Sequence, residues 1–211
     1  MNGLAKIHLS ALETELVNNT EWIFTKQKII EKVNYLLGEL HRDYRKIVED
    51  EKESLPSIFQ KPGGKISKGE NYNGLPYLIL DYPAMFSKDN IFAVRTMFWW
   101  GNFFSISLHL SGKYVERTKE ITQWLAFFQQ NNFCVCINEN EWEHDFHSLN
   151  FIEIKELDQK QINALCKKDF FKAAKKIELS EWNNARELLE QSFKEIIRFI
   201  KISFPTGEKA L

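Results

Sequence analysis

RTMFWWGNFFSISLHL, residues 95–110, sets two extended apolar runs on either side of one Gly-Asn pair. Gly101-Asn102 between such runs predicts a two-residue β-hairpin turn, in which glycine supplies the positive φ. A turn of this length also fixes which residues of the two strands face each other. The predicted pairs are Trp100–Phe103, Trp99–Phe104, Met97–Ile106 and Arg95–Leu108. The stretch therefore predicts a central antiparallel hairpin over about residues 91–110.

Side chains alternate along a strand, so this register predicts a hairpin with two different faces. One face is almost wholly apolar and is expected under the helices: Ala93, Met97, Trp99, Phe104, Ile106, Leu108 and Leu110. The other face is aromatic near the turn and hydroxyl-rich beyond it: Thr96, Phe98, Trp100, Phe103, Ser105, Ser107 and His109. Cross-strand packing accounts for the aromatic side chains on both faces, so no cofactor is needed to explain them.

Arg95 is the exception on the predicted apolar face. An unpaired guanidinium there would cost several kcal/mol. Three arrangements would avoid that cost: an ion pair with Asp81 on the preceding strand, a position at the edge of the sheet, or contact with an anionic ligand. The first is favoured because Asp81 lies on a neighbouring extended run.

Along the rest of the chain, the spacing of apolar residues changes from the helical period to the alternation of strands. Residues 1–53 are predicted to be helical, with a short helix capped by Ser10 and a long helix over about 20–49. Residues 54–76 are rich in glycine and proline and predict a loop. Residues 77–179 predict mostly sheet with a helix at about 114–130, although 170–179 fits strand or helix equally well. Residues 180–204 predict a C-terminal helix.

These elements predict a single α+β domain over residues 1–211. Its antiparallel β-sheet would have about five strands, with helices packed mainly on one face and long N-terminal and C-terminal helices. A Rossmann-like α/β fold would need regular alternation of strands and helices, and that alternation is missing.

Net charge, apolar runs and cysteine count limit the classes of partner and the cellular location that we expect. The net charge is −1 with both signs interspersed, which argues against a nucleic-acid partner. No uncharged apolar run approaches the ~20 residues that span a bilayer, so no membrane partner is expected. The N-terminus lacks the apolar run of a signal peptide. Three cysteines do not make a disulfide framework, so we expect reduced thiols and a cytoplasmic protein.

The polar face of the hairpin is the first candidate site, because hydroxyls, an imidazole and aromatic walls commonly line small-ligand pockets. The ligand-binding candidates are Arg95, Phe98, Trp100, Phe103 and His109. If loop 54–76 closes over this face, the catalytic candidates are His109, Ser107, Lys68, Glu70 and Tyr72. The alternative is a sheet face that the loop half covers, without a pocket.

Residues 138–147, NENEWEHDFH, concentrate potential metal ligands. On a helical turn His144 and His147 would share a face, with Glu143 and Asp145 between them. The alternative is an exposed acidic loop, and we favour it, so no metal is predicted. Cys134 and Cys136 fall on one face of a strand, where core packing is the favoured role.

No catalytic signature occurs: the chain has neither a GxSxG elbow nor a GxxxxGK[ST] phosphate loop. The sequence therefore predicts a module that binds a small molecule or a protein. The competing hypothesis is an enzyme with its site on the polar face of hairpin 91–110, closed by loop 54–76.

A homodimer through helices 20–49 and 181–203 is a candidate assembly, because both helices carry wide apolar stripes. Burial of Phe98 and Trp100 by a helix would favour the module, and His109 in a concave pocket would favour the enzyme.

Overall fold

A computed structural model describes residues 7–115 and 121–204. Five α-helices form in the described residues: α1 (Ala11–Asn18), α2 (Thr20–Asp50), α3 (Ile121–Gln130), α4 (Gln159–Leu165) and α5 (Ala185–Ser203). Seven strands form there too: β1 (Lys65–Tyr72), β2 (Leu75–Phe86), β3 (Ile91–Trp99), β4 (Phe103–Ser111), β5 (Cys134–Cys136), β6 (Phe151–Glu153) and β7 (Phe170–Glu178). Short 3₁₀ turns connect them at Lys52–Ser54, Ser57–Gln60, Gly112–Tyr114, Ile154–Glu156 and Leu179–Asn184.

The strands form one sheet in the order β1-β2-β3-β4-β7-β5-β6, and every neighbouring pair is antiparallel. The predicted α+β class with an antiparallel sheet is confirmed, but the sheet has seven strands rather than about five. The ambiguous segment 170–179 is strand β7, which lies between β4 and β5. Of the helix predicted at 114–130, residues 121–130 are helical, and 116–120 lie outside the described residues.

The prediction of a loop over residues 54–76 is wrong for residues 65–72, which form β1 at the edge of the sheet, and for residues 75–76, which begin β2. β1 reads KISKGENY, has no buried residue and lacks the apolar alternation that marks a strand. Gly69 permits its pairing with β2, because a Cβ on that residue would lie 2.4 Å from the ring of Tyr77. Pairing with β2 through the two-residue turn Asn73-Gly74, in which both residues take positive φ, makes this segment a strand.

The predicted register of the central hairpin is wrong by one residue. Trp99 lies opposite Phe103, so the connection has three residues, Trp100-Gly101-Asn102. The N–H of Asn102 donates to the carbonyl of Trp99 at 3.1 Å, and Gly101 takes φ 72°. Three-residue hairpin loops with a left-handed residue are the common alternative to the two-residue turn.

A shift of one residue moves side chains to the opposite face of the sheet. On β3, Thr96 and Phe98 therefore lie under the helices, opposite Ile106 and Phe104. The other face of the hairpin carries Ala93, Arg95, Met97, Trp99, Phe103, Ser105, Ser107 and His109. The predicted faces were right for β4 and exchanged for β3.

Helices α2, α3 and α5 cover the sheet face that carries Thr96 and Phe98, and they enclose the main core. Tyr44 of α2 stacks on Phe193 of α5 with ring centroids 3.8 Å apart, and Phe128 of α3 lies 4.5 Å from Phe199. Phe98 packs beneath Trp182 at 5.8 Å. Full burial of each such side chain contributes roughly 1.5–3 kcal/mol. The helices therefore occupy one face, and the opposite face of the sheet is left to a loop.

None of the helices within residues 7–115 and 121–204 combines the length and apolar content needed to cross a bilayer.

Candidate functional site

The sheet face opposite the helices holds a cluster of buried polar side chains. Neighbouring strands bring them into two rows: Asp81, Arg95 and Ser107 are paired across β2, β3 and β4, and His109 pairs with Lys172 across β4 and β7. Asp81, Ser107, His109 and Lys172 are all less than a tenth exposed, and Lys172 is only 1% exposed. We call these five residues the sheet-face cluster.

Residues 137–150, which connect β5 to β6, cover the cluster, and we call them the covering loop. The hydroxyl of Tyr72 accepts hydrogen bonds from the N–H groups of His144 (2.8 Å) and Asp145 (2.9 Å). The same hydroxyl donates to the carboxylate of Glu143 at 3.1 Å. Trp142 lies over His109 with ring centroids 5.4 Å apart. The loop has no regular secondary structure, so these side-chain contacts replace the missing backbone ladder.

Arg95 forms a bidentate ion pair with Asp81, with Nε–Oδ1 2.8 Å and Nη2–Oδ2 3.0 Å. Its third nitrogen lies 3.0 Å from Nε2 of His144. Of the three predicted arrangements, the ion pair is the one present. Its setting differs from the prediction, because Arg95 lies on the polar face beneath the covering loop and not among the apolar residues.

His109 is an uncharged imidazole in this cluster. Burial lowers its pKa to about 3, and the positive charges of Lys172 and Arg95 act in the same direction. Its Nε2 lies 2.9 Å from a carboxylate oxygen of Glu141, so the neutral ring donates to that carboxylate. A paired imidazole and carboxylate can act as a general base, but here the covering loop lies above the pair.

Two further pKa values are perturbed beside His109. Burial lowers the pKa of Lys172 to about 7, and burial raises the pKa of Tyr72 to about 12. Desolvation disfavours the charged form of each group, which accounts for the opposite directions. At neutral pH Tyr72 is therefore a neutral phenol, and Lys172 is close to its pKa, where the neutral amine and the ammonium are both populated.

The structure brings some of the predicted site residues together and separates others. Tyr72, Arg95, Ser107 and His109 lie in or beside the sheet-face cluster. Phe103 is on the same face but contacts Trp99 and Phe146. Two predicted ligand contacts lie elsewhere: Phe98 is in the helix-covered core, and Trp100 is in the turn against Trp22.

Lys68 and Glu70 do not reach the cluster, because Lys68 pairs with Leu78 of the helix-covered core and Glu70 lies 3.7 Å from Lys26 of α2. The loop predicted to close the site therefore does not close it, and residues 137–150 do so instead. Sequence reasoning missed Glu141 and Lys172. The only signal for Lys172 was its place in an ambiguous segment, where an inward-pointing lysine cannot be recognised until the strand and its register are known.

The metal hypothesis for His144, His147, Glu143 and Asp145 gains no support. In the part of the chain that the structure describes, no group of three or more His, Cys, Asp or Glu side chains is placed to hold a metal ion. Both ring nitrogens of His144 are already occupied, Nε2 by Arg95 and Nδ1 by Lys172. His147 is exposed and accepts from the N–H of Leu149 at 3.3 Å. Cys136 is buried beside the sheet-face cluster, and Cys134 is partly exposed.

A groove of about 700 Å³ lies between α2 and residues 57–64. Arg42, Arg45 and Lys46 line it together with Glu49 and Asp50. The charges are mixed, so the lining favours neither an anionic nor a cationic ligand.

A second notable surface lies at the start of the chain. Helix α1 has no buried residue. Of the fifteen exposed large apolar side chains among the described residues, eight lie within residues 7–24: Ile7, Leu9, Leu12, Leu16, Val17, Trp22, Ile23 and Phe24. We call residues 7–24 the N-terminal arm.

Comparison of the chain with known protein families, with curated proteins and with solved structures finds no match. Function is therefore inferred from the geometry of this chain alone.

Proposed function

We propose that this chain is a protein-interaction module and that two copies associate through their N-terminal arms. One observation carries the proposal: α1 contributes no residue to the core, yet its exposed surface is rich in leucine and valine. Exposed apolar side chains are common singly, whereas a contiguous group is typical of an interaction site.

The arm has the pattern of a helix that packs against another surface. Leu12 and Leu16 are four residues apart and lie on one side of α1, and Leu9 directly precedes the N-cap Ser10. Leu12 is 63% exposed and Val17 is 69% exposed. An eight-residue helix is marginal by itself in water, so burial of this stripe against a partner would stabilise both the helix and the contact.

The charges beside the stripe support a second copy as the partner. Between residues 7 and 25 the charged side chains are Glu13, Glu15 and Glu21, and histidine is the only basic type there. Lys26, Lys28 and Lys32 follow within the next seven residues, which also contain one acidic residue, Glu31. Two arms related by a two-fold axis and running antiparallel can set the acidic part of one copy against the lysines of the other.

Helix α5 supports the predicted dimer less than α2 does. Its apolar stripe, including Leu189, Phe193, Ile196 and Ile200, is fully buried within the chain. The proposed interface therefore uses the arm and the first turns of α2, and not residues 181–203.

Small-molecule binding and catalysis at the sheet-face cluster have weaker support. Arg95 already has Asp81 and His144 as partners, and Lys172 already has two carbonyl partners in the loop. A ligand would have to displace the covering loop first. A cytoplasmic location and the lack of a nucleic-acid partner stay part of the proposal, supported by the net charge of −1 and by three free cysteines.

Sedimentation velocity over the micromolar range tests the dimer. The wild-type chain should sediment as a dimer, and Leu12→Asp with Leu16→Asp should sediment as a monomer. Leu149→Asp is the matched control, because Leu149 is 71% exposed but lies in the covering loop. A wild-type protein that stays monomeric throughout this range would contradict the proposal, and so would a double variant that still forms dimers.

A charge exchange tests the identity of the partner. Glu15→Lys with Glu21→Lys makes one protein, and Lys28→Glu with Lys32→Glu makes the other. Each should be monomeric alone, because like charges then meet across the interface. An equimolar mixture should form a heterodimer. If the wild type dimerises but the mixture stays monomeric, the antiparallel arrangement is wrong.

A further inference from the structure

Two buried lysines hold the covering loop, and their contacts differ in one respect. Lys168 donates to the carbonyls of Ile137 (3.0 Å) and Asn138, and its amine lies 3.3 Å from the carboxylate of Glu139. An ammonium group has three N–H donors and no acceptor. Lys168 therefore has three acceptors for three donors and is satisfied as a cation.

Lys172 also donates to two loop carbonyls, those of Glu141 (3.0 Å) and Glu143. Its third neighbour is not a carboxylate but Nδ1 of His144, at 3.3 Å. The role of this imidazole nitrogen decides which protonation state of Lys172 fits the site.

The other side of the same ring fixes that role. Nε2 of His144 lies 3.0 Å from Nη1 of Arg95. A guanidinium only donates, so Nε2 must accept, and a neutral imidazole then carries its proton on Nδ1. Nδ1–H points at Nζ of Lys172, where an acceptor is required. Only a neutral amine has the lone pair to accept it.

We propose that Lys172 is a neutral amine while the covering loop is docked, and that protonation of Lys172 releases the loop. A third N–H on Lys172 would face the N–H of His144. If the ring proton were on Nε2 instead, the N–H of His144 would face an N–H of Arg95. Every arrangement with a charged Lys172 therefore leaves two donors facing each other in a buried position.

The titratable and charged side chains that face Lys172 come from three strands and from the covering loop. They are Arg95 from β3, His109 from β4, Cys136 from β5, and Glu141, Glu143 and His144 from the covering loop. Glu141 and Glu143 each present a main-chain carbonyl to the amine. His109 is uncharged and already donates to Glu141. None of the side chains in this set replaces the acceptor that a third N–H would need.

The perturbed pKa of Lys172 agrees with the hydrogen-bond count. It lies at about 7, below the ordinary 10.5, because the site is buried. Between these values the docked loop binds fewer protons than the released loop, so docking weakens as the pH falls toward 7. Release would uncover Asp81, Arg95 and His109. This device is separate from the N-terminal arm and does not depend on self-association.

Two NMR measurements on the wild-type chain test the proposal. The Cε resonance of Lys172 should titrate near pH 7. The main-chain amides of His144 and Asp145, which donate to Tyr72, should report docking through their hydrogen-exchange protection. Corrected for intrinsic exchange, that protection should fall about tenfold for each pH unit between about 10.5 and 7. Titration of Lys172 near 10.5, or protection that does not change with pH, would overturn the proposal.

Two variants distinguish pH-dependent release of the loop through Lys172 from simple attachment of the loop by a buried lysine. His144→Asp supplies a carboxylate that accepts from both Arg95 and Lys172, so the Lys172 titration should move to alkaline pH and the loop should stay docked near pH 7. Lys168→Met is the matched control: it removes an anchor of the same loop but should leave the pH dependence of protection in place. Loss of the pH dependence in Lys168→Met, or its persistence in His144→Asp, would show that Lys172 is not the switch.

Discussion

The ion pair between Arg95 and Asp81 provides a quantitative test of the sheet-face cluster. We consider Asp81→Ala, which removes the carboxylate and leaves the guanidinium with His144 as its remaining side-chain hydrogen-bond partner among the described residues. The side chains of Arg95 and Asp81 are only 17% and 12% exposed. Water can therefore replace the lost carboxylate only in part.

The expected loss of stability follows from that burial. Removing one partner of a buried ion pair costs about 3–5 kcal/mol, because the other charge is left desolvated. The residual exposure of this pair favours the lower value, about 3 kcal/mol. With a urea m-value of about 2 kcal/mol/M, the unfolding midpoint should fall by roughly 1.5 M.

Equilibrium urea unfolding measures this shift, and the chain offers a matched control. Arg186 and Asp43 form a similar bidentate pair, at 2.9 and 3.1 Å, but the Arg186 side chain is 47% exposed and also lies 3.2 Å from the carboxylate of Glu39. Asp43→Ala should therefore lower the free energy of unfolding by about 1 kcal/mol or less. Equal losses in the two variants would refute the view that burial sets the strength of the Arg95 pair.

Three further predictions concern other parts of the fold. Tyr44→Phe removes a buried hydroxyl that bonds to Thr96 at 3.1 Å, so urea unfolding should show a loss of about 1–2 kcal/mol. Gly101→Ala should lower the melting temperature because Gly101 takes φ 72°, where alanine costs roughly 1 kcal/mol. Between pH 6.5 and about 3 the native state binds fewer protons at His109 than the unfolded chain does, so stability should fall as the pH falls. Unfolding measured across that range in His109→Gln should show a shallower fall, and an unchanged slope would mean that His109 is not buried as a neutral group.

The fold class was accessible from the sequence because it depends on local patterns. The stripe of α2 predicted its length and its buried side, and Val33, Leu37, Leu40 and Tyr44 are all buried. The capping box of Ser10 with Glu13 predicted the start of α1. Strand β1 was missed because its residues are polar and lack the apolar alternation of a strand, although it pairs with the next strand along the chain, β2.

The candidate site was predicted only in part, because its geometry depends on register. Arg95 and His109 were selected from their residue types, but a hairpin loop of three residues rather than two decided that they share a face. Ser107 shares that face with both. The approach of residues 137–150 to that face joins segments far apart in sequence, and no periodic pattern records it.

By itself, the sequence determined the helices and the presence of the central hairpin, since both follow from periodicity, and it favoured Asp81 among three possible arrangements for Arg95. Only the tertiary structure decided which residues oppose one another and which loop covers the sheet. The protonation state of Lys172 shows the difference most clearly. It depends on acceptors from two loop carbonyls and on a ring whose other nitrogen is held by Arg95. Hydrogen-bond geometry of that kind exists only when distant segments have come together.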